Sequence, residues 1–446
     1  MSTSILSKFR RIDHALHKSG GYNDGTYLIQ YAAETDDQYD KRKEVAWFGD
    51  ELLDACNNFS GYLAKRPPIR QSIDNPLLSG ILDDCNWRGD HLDVFWQSFI
   101  VEASARGSML LLVEMPEQVP DNQLAQLNQR AFPYLVMIKP ENVTDYKLNK
   151  RGMLTHVEIS ETVDGKYITR GWDETAWWVR EGEKLIDQGE HSLGICPVLA
   201  FTVEGDFPSL GQFAGMEPVI NRLYNMRSEF DEILRRHTFP IFSAQFPLID
   251  PAQNESPESA NNRQMALIKA LRDAIGNLGS ERGIVTPGPV QFIAPPDGPA
   301  TIYMTAIKNM EAKLDEMGLK VNMPGERSAE SGVALTVRFQ SLNAALIRFA
   351  RRMEDLERRM WDMAARWVNI KNTSQIEWPK DYALADTERE IAILQQMEAS
   401  GMPDGVINKQ MGTVISAQYP TVQLDEMDEL MASVKEGEHE RDDDND

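Results

Sequence analysis

The chain lacks most of what a secreted, membrane-spanning or metal-dependent protein needs. Its three cysteines, Cys56, Cys85 and Cys196, are far apart and odd in number, and no Cys-x-x-Cys pair exists. That excludes a disulfide framework and fits free thiols in a reducing compartment. The start, Met1 to Gly20, is basic and polar, without the apolar core of a secretory signal. No apolar run approaches the length of a membrane span, Leu110-Leu111-Leu112-Val113 being among the longest. A soluble protein made inside the cell is expected. Seven histidines (His14, His17, His91, His156, His191, His237 and His439) are scattered with no His-Glu-x-x-His spacing, which argues against zinc. There is no Gly-x-x-x-x-Gly-Lys-Ser/Thr loop and no Gly-x-Ser-x-Gly elbow. The glycine-bearing segment Pro324-Gly325-Glu326 to Ser331-Gly332 offers too few backbone donors in the right order to cradle phosphate. Positive charge is scarce as well: 46 Lys and Arg face 69 Asp and Glu, for a formal charge of −23. This argues against a protein that wraps nucleic acid through a broad basic face. The acidity serves either plain solubility or a surface that repels a polyanion passing nearby.

What is present is material for more than one core. At 446 residues, 42% of them apolar and nine of them tryptophan, the chain predicts two or more domains. Residues 1–35 read as irregular, with a turn at Asn23-Asp24-Gly25. A helix is expected from about Asp37 to Ala64, ended by Pro67-Pro68, and another over His91–Ala105, stopped at Gly107. Met109–Met115 and Tyr134–Ile138 read as strands. Leu154, His156, Val157 and Ile159 lead into a turn at Asp164-Gly165, and Tyr167 and Ile168 lead out. Trp177-Trp178-Val179 and Leu199–Val203 extend the strand pattern, so the first half is mixed α+β with antiparallel pieces.

The pattern changes near Gly211. From Glu217-Pro218 a helix carries Val219, Leu223, Met226, Phe230 and Ile233 on one face and closes at Arg235-Arg236-His237, where cations suit the helix dipole. Residues 238–300 are rich in Pro, Gly and Asn, with a short helix near Gln264–Ala274 and strands at Gly283–Val285 and Val290–Ile293. A second helix, about Thr301–Met317, shows Ile302, Ala306, Met310, Leu314 and Met317 on its face and stops at Gly318. Helix, excursion, helix: the two helices can stand side by side with the excursion at their far end. Both faces are packing surfaces, and repeated copies around a ring would supply partners for them.

Residues 320–328 form a flexible segment. After it, Leu335, Phe339, Leu342, Leu346, Phe349, Met353, Leu356, Met360, Met363 and Trp367 follow in alternating steps of four and three. This is one face of a helix packed against others, roughly 50 Å long at 1.5 Å per residue. Such a stripe is core, either within the subunit or against neighbours. Lys320, Arg327 and Arg338 bracket the loop, as solubilising charges or as brief phosphate contacts. A last helical module starts near Asp386, where Thr387 and Glu390 make a capping box. The tail from Asp425 to Asp446 is strongly acidic and expected to be disordered. The Asp83-Asp84 pair reads as a solvated turn, with Mg²⁺ binding in a nuclease as the sharper alternative.

The order of these parts resembles the portal proteins of tailed bacteriophages. The likeness runs over roughly residues 30–430. It is carried by Gly61-Tyr62-Leu63-Ala64-Lys65-Arg66-Pro67-Pro68, by Phe95, Glu102 and Arg106-Gly107-Ser108-Met109-Leu110-Leu111-Leu112-Val113, and by Gly194-Ile195-Cys196-Pro197-Val198-Leu199-Ala200-Phe201. Phe239-Pro240 after the first paired helix and Ser331-Gly332-Val333-Ala334-Leu335 before the long one continue it. The resemblance implies an α+β portal fold. Its parts would be an α/β wing (1–215), stem helices (216–236 and 301–319), a small clip (237–300) and a tunnel loop (320–333). The long wing helix and a following strand would fill 334–384, and a short helical crown with the acidic tail 385–446.

It further implies a homo-oligomeric ring, commonly of about twelve subunits, at one capsid vertex of a virion, assembled in the host cytoplasm. Such a ring passes double-stranded DNA and docks the terminase packaging motor and later the head-to-tail adaptor. Major capsid and scaffolding proteins are further partners, with no membrane. Lys320, Asn322, Arg327 and Arg338 would face DNA, while Val219, Leu223, Met226, Phe230, Ile302, Met310 and Leu314 would pack between subunits. No catalytic residue, cofactor or metal is expected. The rival readings are a coiled-coil scaffold or adaptor that never contacts DNA, and a metal-dependent nuclease of the packaging system using Asp83 and Asp84.

Overall fold

The structure is a computed structural model of the whole chain, and it describes residues 3–32, 34–116, 118–238, 241–244, 255–275, 290–293, 298–319, 332–382 and scattered positions between 394 and 414. In chain order its first half runs α1 (Thr3–His17), α2 (Asp36–Val45), α3 (Glu51–Ala64), β1 (Ile69–Gln71), α4 (Pro76–Asp83), α5 (Leu92–Arg106), β2 (Ser108–Glu114), α6 (Gln123–Asn128), β3 (Tyr134–Ile138) and β4 (Val143–Leu148). Next come β5 (Leu154–Val163), β6 (Lys166–Asp173), β7 (Ala176–Glu181), β8 (Lys184–Glu190) and β9 (Val198–Thr202). The second half holds α7 (Met216–Thr238), β10 (Ile241–Ala244), α8 (Pro257–Ile275), β11 (Val290–Ile293), α9 (Gly298–Met317), α10 (Gly332–Trp367) and β12 (Gln375–Glu377).

The chain divides into two compact units. The first takes 1–29, 48–223 and 310–446; the second takes 30–47 and 224–309.

In the first unit, α10 lies across the antiparallel sheet β3-β2-β9 and against α3. Its apolar stripe explains the placement. From Leu342 through Leu346, Phe349, Met353, Leu356 and Met360 to Met363, each side chain is at most 2% exposed. From Leu342 to Met363 the stripe is thus covered by its own chain. Aromatic rings continue the core edge to face: Phe59 meets Phe349 at 5.4 Å and Phe213 at 5.5 Å, and Phe201 meets Phe99 at 5.4 Å. Glu357 is the charged exception on α10, fully buried. It accepts from the Trp378 indole at 2.8 Å and pairs with Arg70 on β1, next to the β1–β12 ladder. A second sheet, the meander β4-β5-β6-β7-β8, packs Val143, Leu154, Val157, Ile159 and Trp172 against Leu110, Leu112 and Val198 of the first.

α5 runs over Leu92–Arg106 with His91 as its cap and stops at Gly107, φ 88°. A Cβ there would sit 1.9 Å from the backbone nitrogen of Gly211, whose N–H donates to the Arg106 carbonyl at 3.0 Å. Only glycine allows that close crossing in the left-handed region.

Several expectations need correction. Residues 1–35 are not irregular throughout: α1 buries Phe9, Ile12, Ala15 and Leu16, an amphipathic face hidden in the sequence among basic and polar neighbours, while 23–32 holds turns and bends as expected. The expected helix 37–64 is two helices, α2 and α3. Ala46 turns to extended backbone (φ −65°, ψ 134°), and 30–47 groups with the second unit. Asp84 is not solvated: it is 4% exposed, bonded to Arg130 and to the Gly89 N–H. Helix α4 and strands β4 and β10 are short or weakly apolar and leave no clear pattern in the sequence. α9 does end before Gly318 as expected, and the left-handed residue that follows is Leu319 (φ 54°).

In the second unit β10 and β11 pair antiparallel, Ile241 opposite Ile293 and Ala244 opposite Val290. The two ends of the excursion that separates α7 from α9 are thereby hydrogen-bonded to each other. α8 lies within that excursion. The expected strand at 283–285, the capping box at 387–390 and the acidic tail lie outside the described residues.

Candidate functional site

No compact catalytic constellation is visible among the described residues. The α7 and α9 faces divide by depth. Leu223 is fully buried and Leu314 is 2% exposed, so both are already covered by their own chain. Val219, Met226, Phe230 and Met310 are half-buried. Ile302 is 68% exposed and Met304 44%, both on α9 within the second unit, and Leu234 on α7 is 42% exposed there. Among the described residues the most exposed apolar side chains of these helices thus lie towards the excursion end.

Polar clasps hold the inner parts. In the first unit Glu217, near the start of α7, accepts from Arg11 at 2.7 Å and from the Tyr22 hydroxyl at 2.8 Å. In the second unit Glu229 accepts from the hydroxyls of Tyr31 and Tyr303, the latter at 2.7 Å. Arg42, 2% exposed, donates to both Glu34 oxygens at 2.8 Å and to Ser228 at 2.9 Å. Tyr31, Glu34, Arg42, Glu229 and Tyr303, with Gln38, Glu232 and Ile233, line a cavity of 390 Å³. Burial, then the Glu229 contact, pushes the Tyr31 hydroxyl up to about 12; for Tyr303 the hydrogen bond to Glu229 leads and burial follows, again to about 12. Neither Arg42 nor Tyr31 carries a signal in the sequence, because Ser228 and Glu229, which they meet on α7, lie nearly 200 positions away.

Of the expected DNA-facing residues, Lys320, Asn322 and Arg327 lie outside the described residues, and Arg338 falls in the first turns of α10. The same helix carries Arg348, Arg351, Arg352, Arg358, Arg359 and Arg366, a cationic series in an acidic chain. Several are held locally: Arg348 by Glu204, Arg358 by Glu354, and Arg359 by Asp355 at 3.2 Å.

Asp83 is exposed while Asp84 is buried against Arg130, so the pair does not converge on a shared ion. Asp13, His17 and Glu102 do bring ligand-type atoms within 4.8 Å of one another. Cations of the protein already fill that cluster: Lys139 bonds Asp13 at 2.6 Å, and the fully buried Arg106 bonds Asp13, Glu102 and Glu141. The three cysteines are buried free thiols, and burial pushes each up to about 12, well away from nucleophilic use. No helix of the described residues is long and apolar enough to cross a membrane.

No family model and no curated protein matches the chain. Among solved structures it is similar to a chain in the virion of a native gene transfer agent (GTA) particle, at 11% identity and TM-score 0.45, covering 88% of this chain and 96% of that one. It is also similar to a chain in the neck of a native GTA particle computed with C12 symmetry, at 10% identity and TM-score 0.40, covering 79% and 86%. A third likeness is to an HK97-family phage portal protein from Corynebacterium diphtheriae, at 8% identity and TM-score 0.34, covering 74% and 92%. At such identities and TM-scores these likenesses carry no functional argument.

Proposed function

We propose that this chain is a non-enzymatic portal subunit. Copies close into a ring, of about twelve by the sequence resemblance, at one capsid vertex of a virion assembled in the host cytoplasm. Double-stranded DNA passes through the ring, the packaging motor and head-to-tail adaptor dock on it, and major capsid and scaffolding proteins surround it. The observation that carries the reading is the helix–excursion–helix module. α7 and α9 flank an excursion whose ends are paired by β10 and β11, and apolar side chains, Ile302 and Met304, stay exposed where a neighbouring copy can cover them.

The charge supports the same role. A conduit must not grip its cargo, and duplex DNA carries about one negative charge per 1.7 Å of axis. A chain at −23 repels it. Screening limits that repulsion to about 8 Å at physiological salt, so it centres the duplex only where the wall comes near. A few cations at Lys320 and Arg327 then supply contacts weak enough to release. The burial of Leu342 to Met363 within their own chain favours this reading over the coiled-coil alternative.

Averaged electron images of the purified protein, viewed down the particle axis, test the proposal. Closed rings with an axial opening wide enough for a duplex support it; a species that stays monomeric at high concentration overturns it. Incubation with plasmid and Mg²⁺ checks the nuclease alternative, and no cleavage is expected.

A further inference from the structure

The tryptophans are not spread evenly through the cores. Trp87, Trp172, Trp177, Trp178 and Trp367 all line one open groove of 1340 Å³ within the first unit, together with Tyr134 and His191. The groove is assembled from distant segments: the loop after α4, the ends of β2 and β3, the strands β6 to β8 and the last residue of α10. Its indoles are held as flat plates. Trp87 stacks on Tyr134 with centroids 5.2 Å apart and planes within 5°. Trp367 donates to the Val113 carbonyl at 2.8 Å, and Trp87 to the Arg130 carbonyl at 2.7 Å. On the meander, Trp177 and Trp178 each lie over a glycine of the adjoining strand. A Cβ at Gly189 would reach the Trp177 indole at 2.6 Å, and one at Gly171 the Trp178 indole at 2.2 Å. The fixed rings of Trp87, Trp172, Trp177 and Trp367 leave aromatic surface facing the groove, Trp87 being 47% exposed, while the Trp178 indole turns to the other face of the meander, where it stacks on His156 and donates to Glu158 at 3.0 Å.

Charge selects what can enter. The lining residues include the carboxylates Glu114, Asp187 and Glu190 against the guanidinium of Arg170. Asp187 and Glu190 are exposed on the edge strand β8. The lining also offers a bare acceptor: His191 Nε2 meets the Asp173 carbonyl at 3.2 Å, so that nitrogen carries the proton, and Nδ1 is left as a buried acceptor with no partner. Aromatic faces and carboxylates repel phosphate and attract a planar cation, and guanidinium satisfies both by stacking on indole and bonding carboxylate in a fork. The groove is larger and more open than a typical small-molecule site of about 300–1,000 Å³. From this complementarity we infer that the tryptophan groove docks an extended, arginine-bearing segment of a partner polypeptide.

The inference stands apart from the portal reading, because it concerns a site that a ring of any function would carry. The test uses the full-length protein at about 0.15 M salt, where exposed charges are largely screened beyond about 8 Å. A labelled arginine–glycine repeat peptide is titrated against its citrulline counterpart, with anisotropy and tryptophan quenching as readouts. The arginine peptide is expected to bind and quench. The double variant Asp187→Lys with Glu190→Lys should weaken it by about 10-fold or more, and Trp87→Ala by about 3- to 30-fold. Glu44→Lys with Asp74→Lys, an equal change of charge at exposed positions elsewhere, should change it less than about 3-fold. Equal binding of the citrulline peptide overturns the proposal, as does equal weakening by the control variant. So does displacement by a neutral oligosaccharide, or assembled particles that bind no peptide because a second copy covers the groove.

Discussion

Tyr303 on α9 donates a hydrogen bond to Glu229 on α7 at 2.7 Å, and the same carboxylate accepts from Tyr31. One acidic side chain thus joins both long helices and the 30–47 segment inside the second unit. Tyr303→Phe removes one donor but leaves Tyr31, so a loss of about 1 to 2 kcal/mol in that unit is expected. The pH dependence has a definite sign. Both hydroxyls titrate near 12 in the folded state against 10 in the free side chain. Their contribution is complete below pH 10 and is lost as pH climbs through about 12. Thermal unfolding between pH 8 and 12 checks this; in Tyr303→Phe the alkaline fall should be shallower than in the unaltered protein.

The apolar residues of the paired helices should separate assembly from stability. Ile302 is 68% exposed in the single chain, whereas Leu223 is fully buried. Ile302→Asp is expected to abolish rings while the subunit melts within a few degrees of the original. Leu223→Ala should cost about 2 to 5 kcal/mol of subunit stability through the cavity it leaves. Mass photometry and calorimetry on the two variants distinguish the effects. Rings that survive Ile302→Asp would remove α9 from the assembly surface.

How far the sequence could be read follows from which interactions are local. The period of Leu342–Met363 places α10, and the His91 cap with the glycine at 107 brackets α5, because a helix face and its caps are written within a few residues. α2 and α3 are divided at 46–50, where Gly49-Asp50 is the local break signal and Asp50 holds the N-cap position of α3. α1 escaped because Lys8, Arg10 and Arg11 dilute Phe9, Ile12 and Leu16. The tryptophan groove was least legible. Trp177-Trp178 is conspicuous in the chain, but Trp87 and Trp367 join it only through the register of the sheets and the length of α10.

The loop cations carry a prediction that depends on the proposed conduit. Replacing Lys320 and Arg327 with Ala removes point charges without touching any apolar face. DNA packaging or retention should fall while ring yield stays the same. The residual contact with DNA should also lose part of its salt dependence, since each phosphate contact adds about 0.9 to the slope of log affinity against log salt. Packaging assays over a salt series, run beside particle counts, measure both. Parallel loss of rings and packaging would deny the loop a separate role.

The ion cluster at Arg106 predicts how the first unit behaves in acid. Burial opposes ionisation of Glu102, but the His17 hydrogen bond and the nearby Arg106 and Lys139 overcome it and hold the carboxyl at about 2. With a free-side-chain value of 4.5, its contribution to stability is present above that pH and disappears as pH falls towards about 2. Glu102→Gln should therefore lower the melting temperature at pH 7, with the gap to the unaltered protein closing between pH 4.5 and 2. Arg106→Met is harsher. It leaves Asp13, Glu102 and Glu141 crowded without their shared cation, and removing one partner of a buried ion network costs about 3 to 5 kcal/mol. Acid should soften that penalty, because protonated carboxyls no longer need the guanidinium. An Arg106→Met protein that gained stability on going from pH 7 to pH 5, while the unaltered protein lost it, would trace the effect to charge, where a packing defect would cost the same at both.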